Sequence, residues 1–176
     1  MTEEPAFRVV ITDCEHADID PEIEILDAIG AQVEWHNCQT EEDVIEAATD
    51  ADGLMVAYAH ITARVLEALP KCRIVSRYGI GVDAIDIPAA TQRGIVVTNA
   101  PDFCLDEVAD HAMALLLALA RRIVTLDHAV RDGSAVKEGQ WDSLSVAGPM
   151  YRLSKQTLGI IGLGQIGRRV AKRAQA

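Results

Sequence analysis

The chain has 176 residues, enough for one well-buried domain or a small domain plus part of another, and too few for two complete α/β domains. Hydrophobic residues make up 49% and charged residues 24%, which is ordinary globular usage and excludes disorder, while a net charge of -11 excludes non-specific attraction to nucleic acid or an anionic membrane surface. The amino terminus carries acids where a signal peptide needs bases, and the longest apolar run, residues 112–120, is far short of the roughly 20 residues of a membrane span, so a soluble cytoplasmic protein is expected.

Five β-branched runs follow one another in the first hundred residues, at 7–12, 31–36, 53–59, 73–79 and 94–100. Between them lie helical patterns at 22–30, 40–50, 62–70 and 85–94, with Gly30 placed as a terminator and Thr40 as a cap. Alternation of this kind predicts an α/β fold with a parallel sheet, and runs so apolar on both faces belong to a buried one. Beyond Asn99-Ala100-Pro101, residues 105–131 read as one long apolar helix bridging two domains, bounded by Pro101 and Gly133. Residues 132–154 read as an irregular surface excursion. The strand TLGIIGLG then leads into a helix that starts at Gln165. The expected organisation is a flavodoxin-like parallel-sheet domain over 1–100, then over 101–176 an interdomain helix and the start of a Rossmann domain.

Gly162-Leu163-Gly164-Gln165-Ile166-Gly167 satisfies GxGxxG between a strand and a helix, the context that dinucleotide binding requires. Gly162 allows the tight turn, Gly164 lets the backbone approach a pyrophosphate, and Gly167 lets helix and strand pack closely. The amides of Gln165 and Ile166 would face the phosphates at the positive end of the helix dipole. The acidic residue that holds the adenosine ribose is due roughly 20 residues beyond the glycines, past Ala176, so the fingerprint does not tell NAD from NADP; NAD is the expected cofactor, with NADP not excluded.

A second constellation closes the fourth run: Arg77-Tyr78-Gly79-Ile80-Gly81. Two glycines flanking one residue at the carboxyl end of a parallel strand make either a turn whose amides converge on an anion or a plain turn that only glycine permits. Arg77 is a candidate carboxylate clamp or a solvated arginine. The dispersed cysteines Cys14, Cys38, Cys72 and Cys104 have no ligand or disulfide spacing, so buried reduced thiols and no metal site are expected.

RYGIGVDAIDIPAATQRGIVVTNAP, then DEVADHAMALLLALAR, then TLGIIGLGQIGR resembles the D-isomer-specific 2-hydroxyacid dehydrogenase family. Within it the chain is most similar to the branch of the phosphoglycerate dehydrogenases and C-terminal binding proteins. The resemblance implies hydride transfer between a nicotinamide and C2 of a small 2-oxo or 2-hydroxy acid. It assigns the substrate carboxylate to the amides of Gly79, Ile80 and Gly81, with Ile80 shared by the cofactor, and the pyrophosphate to Gly162, Leu163, Gly164, Gln165, Ile166 and Gly167; Arg77 and Tyr78, which lead into the first turn, are grouped with the substrate site. It also implies a hinge at Asn99-Ala100-Pro101 and a connecting helix from Glu107 that contributes to a homodimer. The family's catalytic arginine, glutamate and histidine follow the fingerprint by more residues than this chain has. No catalytic residue is therefore placed here, and the chain is expected to be incomplete and inactive alone.

A non-catalytic NAD(H)-sensing or regulatory protein is the competing class. A phosphoacceptor receiver is rejected, because of its required acids and lysine only Asp13 has a counterpart.

Overall fold

The computed structural model describes residues 7–176, which divide into two compact units between Phe103 and Cys104. In the first unit, strands β1 (Phe7–Ile11), β2 (Ala31–Trp35), β3 (Gly53–Val56), β4 (Ile74–Arg77) and β5 (Val96–Thr98) form a parallel sheet of order β2-β1-β3-β4-β5. That is the flavodoxin-like doubly wound order, with its topological switch point between β1 and β3. Val10 and Ile11 are successive residues of β1 and both are fully buried, so both faces of the sheet are covered.

The crossovers are α1 (Asp20–Asp27), α2 (Glu41–Ala48), α3 (Ala63–Ala68) and α4 (Ile87–Gln92). Each begins or ends on a local signal. Gly30 stands at φ 71° just after α1. At the start of α2, Thr40 and Asp43 form a reciprocal capping box, and Thr62 and Asp86 cap α3 and α4 by accepting from the amides of Val65 and Ala89. Val44, Ala48, Val65, Leu66 and Ala90 from these helices meet Val10, Leu54, Val56 and Val75 of the sheet in one buried core.

In the second unit, the expected helix over 105–131 is two helices, α5 (Leu105–Ala120) and α6 (Ile123–Arg131). Arg122 takes a left-handed φ of 54° and its amide donates to the Leu119 carbonyl at 3.1 Å, an αL helix end with neither glycine nor proline to mark it. The excursion expected over 132–154 contains a short hairpin, β6 (Val136–Lys137) with β7 (Gln140–Trp141), then α7 (Ser143–Ala147) and a 3-10 turn at Leu153–Lys155. Glu138 and Gly139, at φ 50° and 80°, supply the two positive angles of a type I′ turn. The strand expected over 157–164 is not formed, because among the described residues no neighbouring strand offers it a ladder, and Ile161 is fully exposed. Helix α8 (Gln165–Gln175) follows and packs on α5, where Arg169 and Arg173 pair with Asp106 at 3.3 and 2.9 Å and Arg173 also pairs with Asp110.

The expected strands also run too long, most of all the last three. Residues 57–59, 78–79 and 99–100 lie beyond the ends of β3, β4 and β5. The first departure has a visible cause: the Asp13 carboxylate accepts the amides of Ala57, Tyr58 and Ala59, drawing that segment out of the ladder. All four cysteines are free, with Cys38 and Cys72 buried and Cys14 and Cys104 partly buried. Burial pushes the Cys38 and Cys72 thiols above their usual range, which makes them poor nucleophiles. No helix among the described residues is long and apolar enough to cross a membrane.

Candidate functional site

The carboxyl edge of the sheet in the first unit carries the turn that follows β4. The carbonyls of Gly79 and Ile80 are both occupied: Ala100 donates its amide to the first at 3.1 Å, and the Asn99 side chain donates Nδ2–H to the second at 2.8 Å. The amides of Gly79, Ile80 and Gly81, by contrast, have no acceptor among the described residues. With its carbonyls tied back and its amides open, the turn presents partial positive charge, which is the requirement for holding a carboxylate.

The glycines themselves answer to space rather than to backbone angle, since neither Gly79 nor Gly81 has a positive φ. A Cβ on Gly79 would overlap the Arg77 guanidinium, and one on Gly81 would lie 3.2 Å from the Asp83 carboxylate. Arg77 thus lies directly over the turn, placing its full charge beside the open amides. Its guanidinium carbon is also 5.9 Å from the centroid of the Tyr58 ring.

Tyr78, grouped with these residues on sequence grounds, points elsewhere. Its amide completes the sheet by donating to Val56, while its ring meets His16 edge-on at 6.0 Å and its hydroxyl lies 4.0 Å from Met55 Sδ. Burial, reinforced by the nearby Glu22 carboxylate, raises its phenol well above the usual range, so it stays neutral at physiological pH. Tyr78 packs behind the turn.

At the same carboxyl edge of the sheet, a cleft of about 670 Å³ opens where the loops after β1, β2 and β3 meet, lined in part by Asp13, Glu15, Asn37, Thr40, Tyr58 and His60. Crevices at this position of an open α/β sheet are the usual ligand sites. The sequence alone did not single out Asp13 as a site residue: it is one acid at a strand end with no telling spacing, and only the fold shows three amides converging on it.

In the second unit the glycine turn leads into α8. Gly162 has φ 89°, which demands glycine, and a Cβ on Gly167 would collide with the Gly162 carbonyl oxygen and lie 3.1 Å from its carbon. A Cβ on Gly164 would meet nothing within 4 Å. Gly164 is also the N-cap of α8 and supplies no side-chain acceptor, so the first-turn amides of Gln165 and Ile166 are uncapped. Leu163 is exposed beside them. Open space over one glycine and uncapped amides at an 11-residue helix fit a pyrophosphate. Among the described residues no three His, Cys, Asp or Glu side chains are grouped to hold a metal ion.

A family model described as D-isomer specific 2-hydroxyacid dehydrogenase, catalytic domain, matches residues 9–170. The D-3-phosphoglycerate dehydrogenase of Methanocaldococcus jannaschii is 40% identical over 170 residues, covering 96% of this chain and 30% of its own length. The glyoxylate reductase of Korarchaeum cryptofilum is 44% identical over 133 residues, covering 75% of this chain and 39% of its own length. The solved structure of NAD+-bound 3-phosphoglycerate dehydrogenase from Entamoeba histolytica aligns with a TM-score of 0.71 at 30% identity, covering 96% of this chain and 50% of that one. The chain spans about a third of the length of these curated relatives. Sheet order, the two glycine turns and a family match over nearly all its residues agree: this chain belongs to the D-isomer specific 2-hydroxyacid dehydrogenase family.

Proposed function

We propose that the chain is the substrate-binding unit and the opening of the nucleotide-binding unit of an NAD(P)-dependent D-2-hydroxyacid dehydrogenase. The observation that carries this reading is the turn at 79–81, whose carbonyls are satisfied by Asn99 and Ala100 while its three amides stay open beneath the Arg77 guanidinium. Such a turn holds the carboxylate of a small 2-oxo acid and orients its C2 carbon, the point at which a bound nicotinamide would deliver or take a hydride. Gly162, Gly164 and Gly167 with the amides of Gln165 and Ile166 would hold the pyrophosphate. Reduction of the 2-oxo acid also requires a general acid to deliver a proton to the substrate oxygen.

Glyoxylate and D-3-phosphoglycerate are the substrates named for the relatives, and both present the small carboxylate that the turn would take. We also propose that α5 serves a homodimer, because Leu115, Leu117 and Leu119 are exposed along it. Titration of the nitrogen-15-labelled chain with glyoxylate tests the central reading. The amides of Gly79, Ile80 and Gly81 should shift in a saturable way, and shifts confined to other residues would contradict it.

A further inference from the structure

Arg77 is a long, flexible side chain folded back over Gly79, a placement that costs side-chain entropy and calls for a compensating contact. None of the salt bridges among the described residues involves Arg77. What it does meet is the face of Tyr58. That ring is 59% exposed, so it contributes little to the core, and its placement calls for a different reason.

The backbone beneath Tyr58 is held firmly. Asp13, at the end of the central strand β1, is buried and accepts from Ala57 at 3.2 Å, from Tyr58, and from Ala59 at 3.3 Å. The Thr12 hydroxyl donates to the same carboxylate at 2.8 Å and so fixes its rotamer. Three consecutive amides on one carboxylate leave the β3–α3 loop a single conformation, and that conformation sets the Tyr58 ring against the guanidinium. The nearby Glu15 carboxylate raises the Tyr58 phenol above its usual range, so the ring faces the guanidinium as a neutral π system.

We propose that Asp13 and Tyr58 are positioning residues for Arg77: Asp13 shapes the loop, Tyr58 supplies the π face, and the two together hold the guanidinium over the 79–81 turn before substrate arrives. The inference rests on the reading of that turn as the carboxylate site. Neither residue touches the substrate in this scheme. Their contribution is preorganisation, which spares the substrate the ordering of a long side chain.

The test uses the 176-residue chain labelled with nitrogen-15 and carbon-13, with oxalate as a non-reacting mimic of a small 2-oxo acid. In the unaltered protein the Arg77 Cδ and Nε protons should carry an upfield ring-current shift. Tyr58→Leu should abolish that shift and weaken oxalate binding by about 2–5-fold, the range for a cation–π contact at an exposed site. Tyr58→Phe keeps the face and should restore both. Asp13→Asn should speed amide exchange at Ala57, Tyr58 and Ala59 and weaken binding by a similar factor, with no further loss when combined with Tyr58→Leu. Because Tyr58 is largely exposed, its variants test the proposal even if Asp13→Asn fails to fold.

Arg77→Gln separates the two levels of the argument. If Arg77→Gln weakens oxalate binding and Tyr58→Leu leaves both the affinity and the Arg77 shift unchanged, the positioning role is overturned while the carboxylate site stands. If Arg77→Gln has no effect on affinity, the reading of the turn itself fails. An additive loss in the Asp13→Asn, Tyr58→Leu double variant would show that Asp13 does not act through Tyr58.

Discussion

Gly164 and Gly167 lie three residues apart in one motif, and replacing each by alanine should fail in a different way. At Gly167 the added methyl meets the carbonyl of Gly162, which is backbone and cannot rotate aside, and Gly162 is itself held at φ 89°. Overpacking of this kind costs about 1–3 kcal/mol, and a rigid partner puts it near the upper end. Alanine regains about 1 kcal/mol of helix propensity, so a net loss of about 2 kcal/mol is expected for the packing of α8. At Gly164 the φ of -76° is open to alanine and nothing lies within 4 Å, so the only stability cost is that of a poorer N-cap, about 0.5 kcal/mol and well below that at Gly167. The same methyl would occupy the space through which a pyrophosphate reaches the backbone, and a tenfold or greater loss of NADH affinity corresponds to about 1.4 kcal/mol. Thermal unfolding and NADH fluorescence titration of the complete dehydrogenase carrying each variant make the comparison. A Gly164→Ala enzyme that binds NADH normally, or a Gly167→Ala enzyme that melts like the parent, would refute the division of roles.

Three further outcomes follow from the first unit. Leu54→Ala empties a fully enclosed site in the central core and should lower the urea-derived unfolding free energy by about 3 kcal/mol. Thr40→Ala removes one half of the α2 capping box and should cost about 1 kcal/mol in the same assay. The Arg8 guanidinium hydrogen-bonds both oxygens of Glu34, at 3.0 and 2.7 Å, and holds its carboxyl below the usual carboxylate range. A depressed carboxylate contributes stability above its unfolded pKa and loses it as pH falls through the folded one, so the unaltered protein should weaken from about pH 5 downward. Glu34→Gln should flatten that acid limb in a series of melts, and an unchanged slope would remove the pair from the account.

Much of the fold was legible because its signals are local. The parallel sheet follows from β-branched runs apolar on both faces, and Gly30 and Thr40 mark helix ends by chemistry that any reader of the chain can apply. What the sequence hid depends on partners distant along the chain. Residues 57–59 look like strand until Asp13, 44 positions earlier, takes their amides. The break at Arg122 carries no glycine or proline, and arginine is not a residue that announces a left-handed turn. Glu138-Gly139 does carry a turn signal, though a weaker one than Asn-Gly or Asp-Gly. Residues 157–164 have strand composition, but a strand exists only where a neighbour completes its hydrogen bonds.

In the candidate site, the glycine turns were readable as patterns, while the reason for each glycine was not. Gly79 was open to explanation as a backbone necessity, and its surroundings show instead that a folded-back arginine fills the space. Tyr78 adjoins the turn in sequence and points away from it in space, because successive residues leaving a strand face opposite ways. Tyr58, from a different loop, takes the place beside Arg77 instead.

The most direct measurement is the steady-state oxidation of NADH or NADPH by the proposed dehydrogenase that contains this chain, with glyoxylate and other small 2-oxo acids, alongside its Arg77→Gln variant. The account predicts turnover with at least one such acid and a KM raised roughly tenfold or more in the variant, as expected when a charge-assisted contact to the carboxylate is lost. Absence of nicotinamide oxidation with every 2-oxo acid, or an unchanged KM in Arg77→Gln, would contradict it.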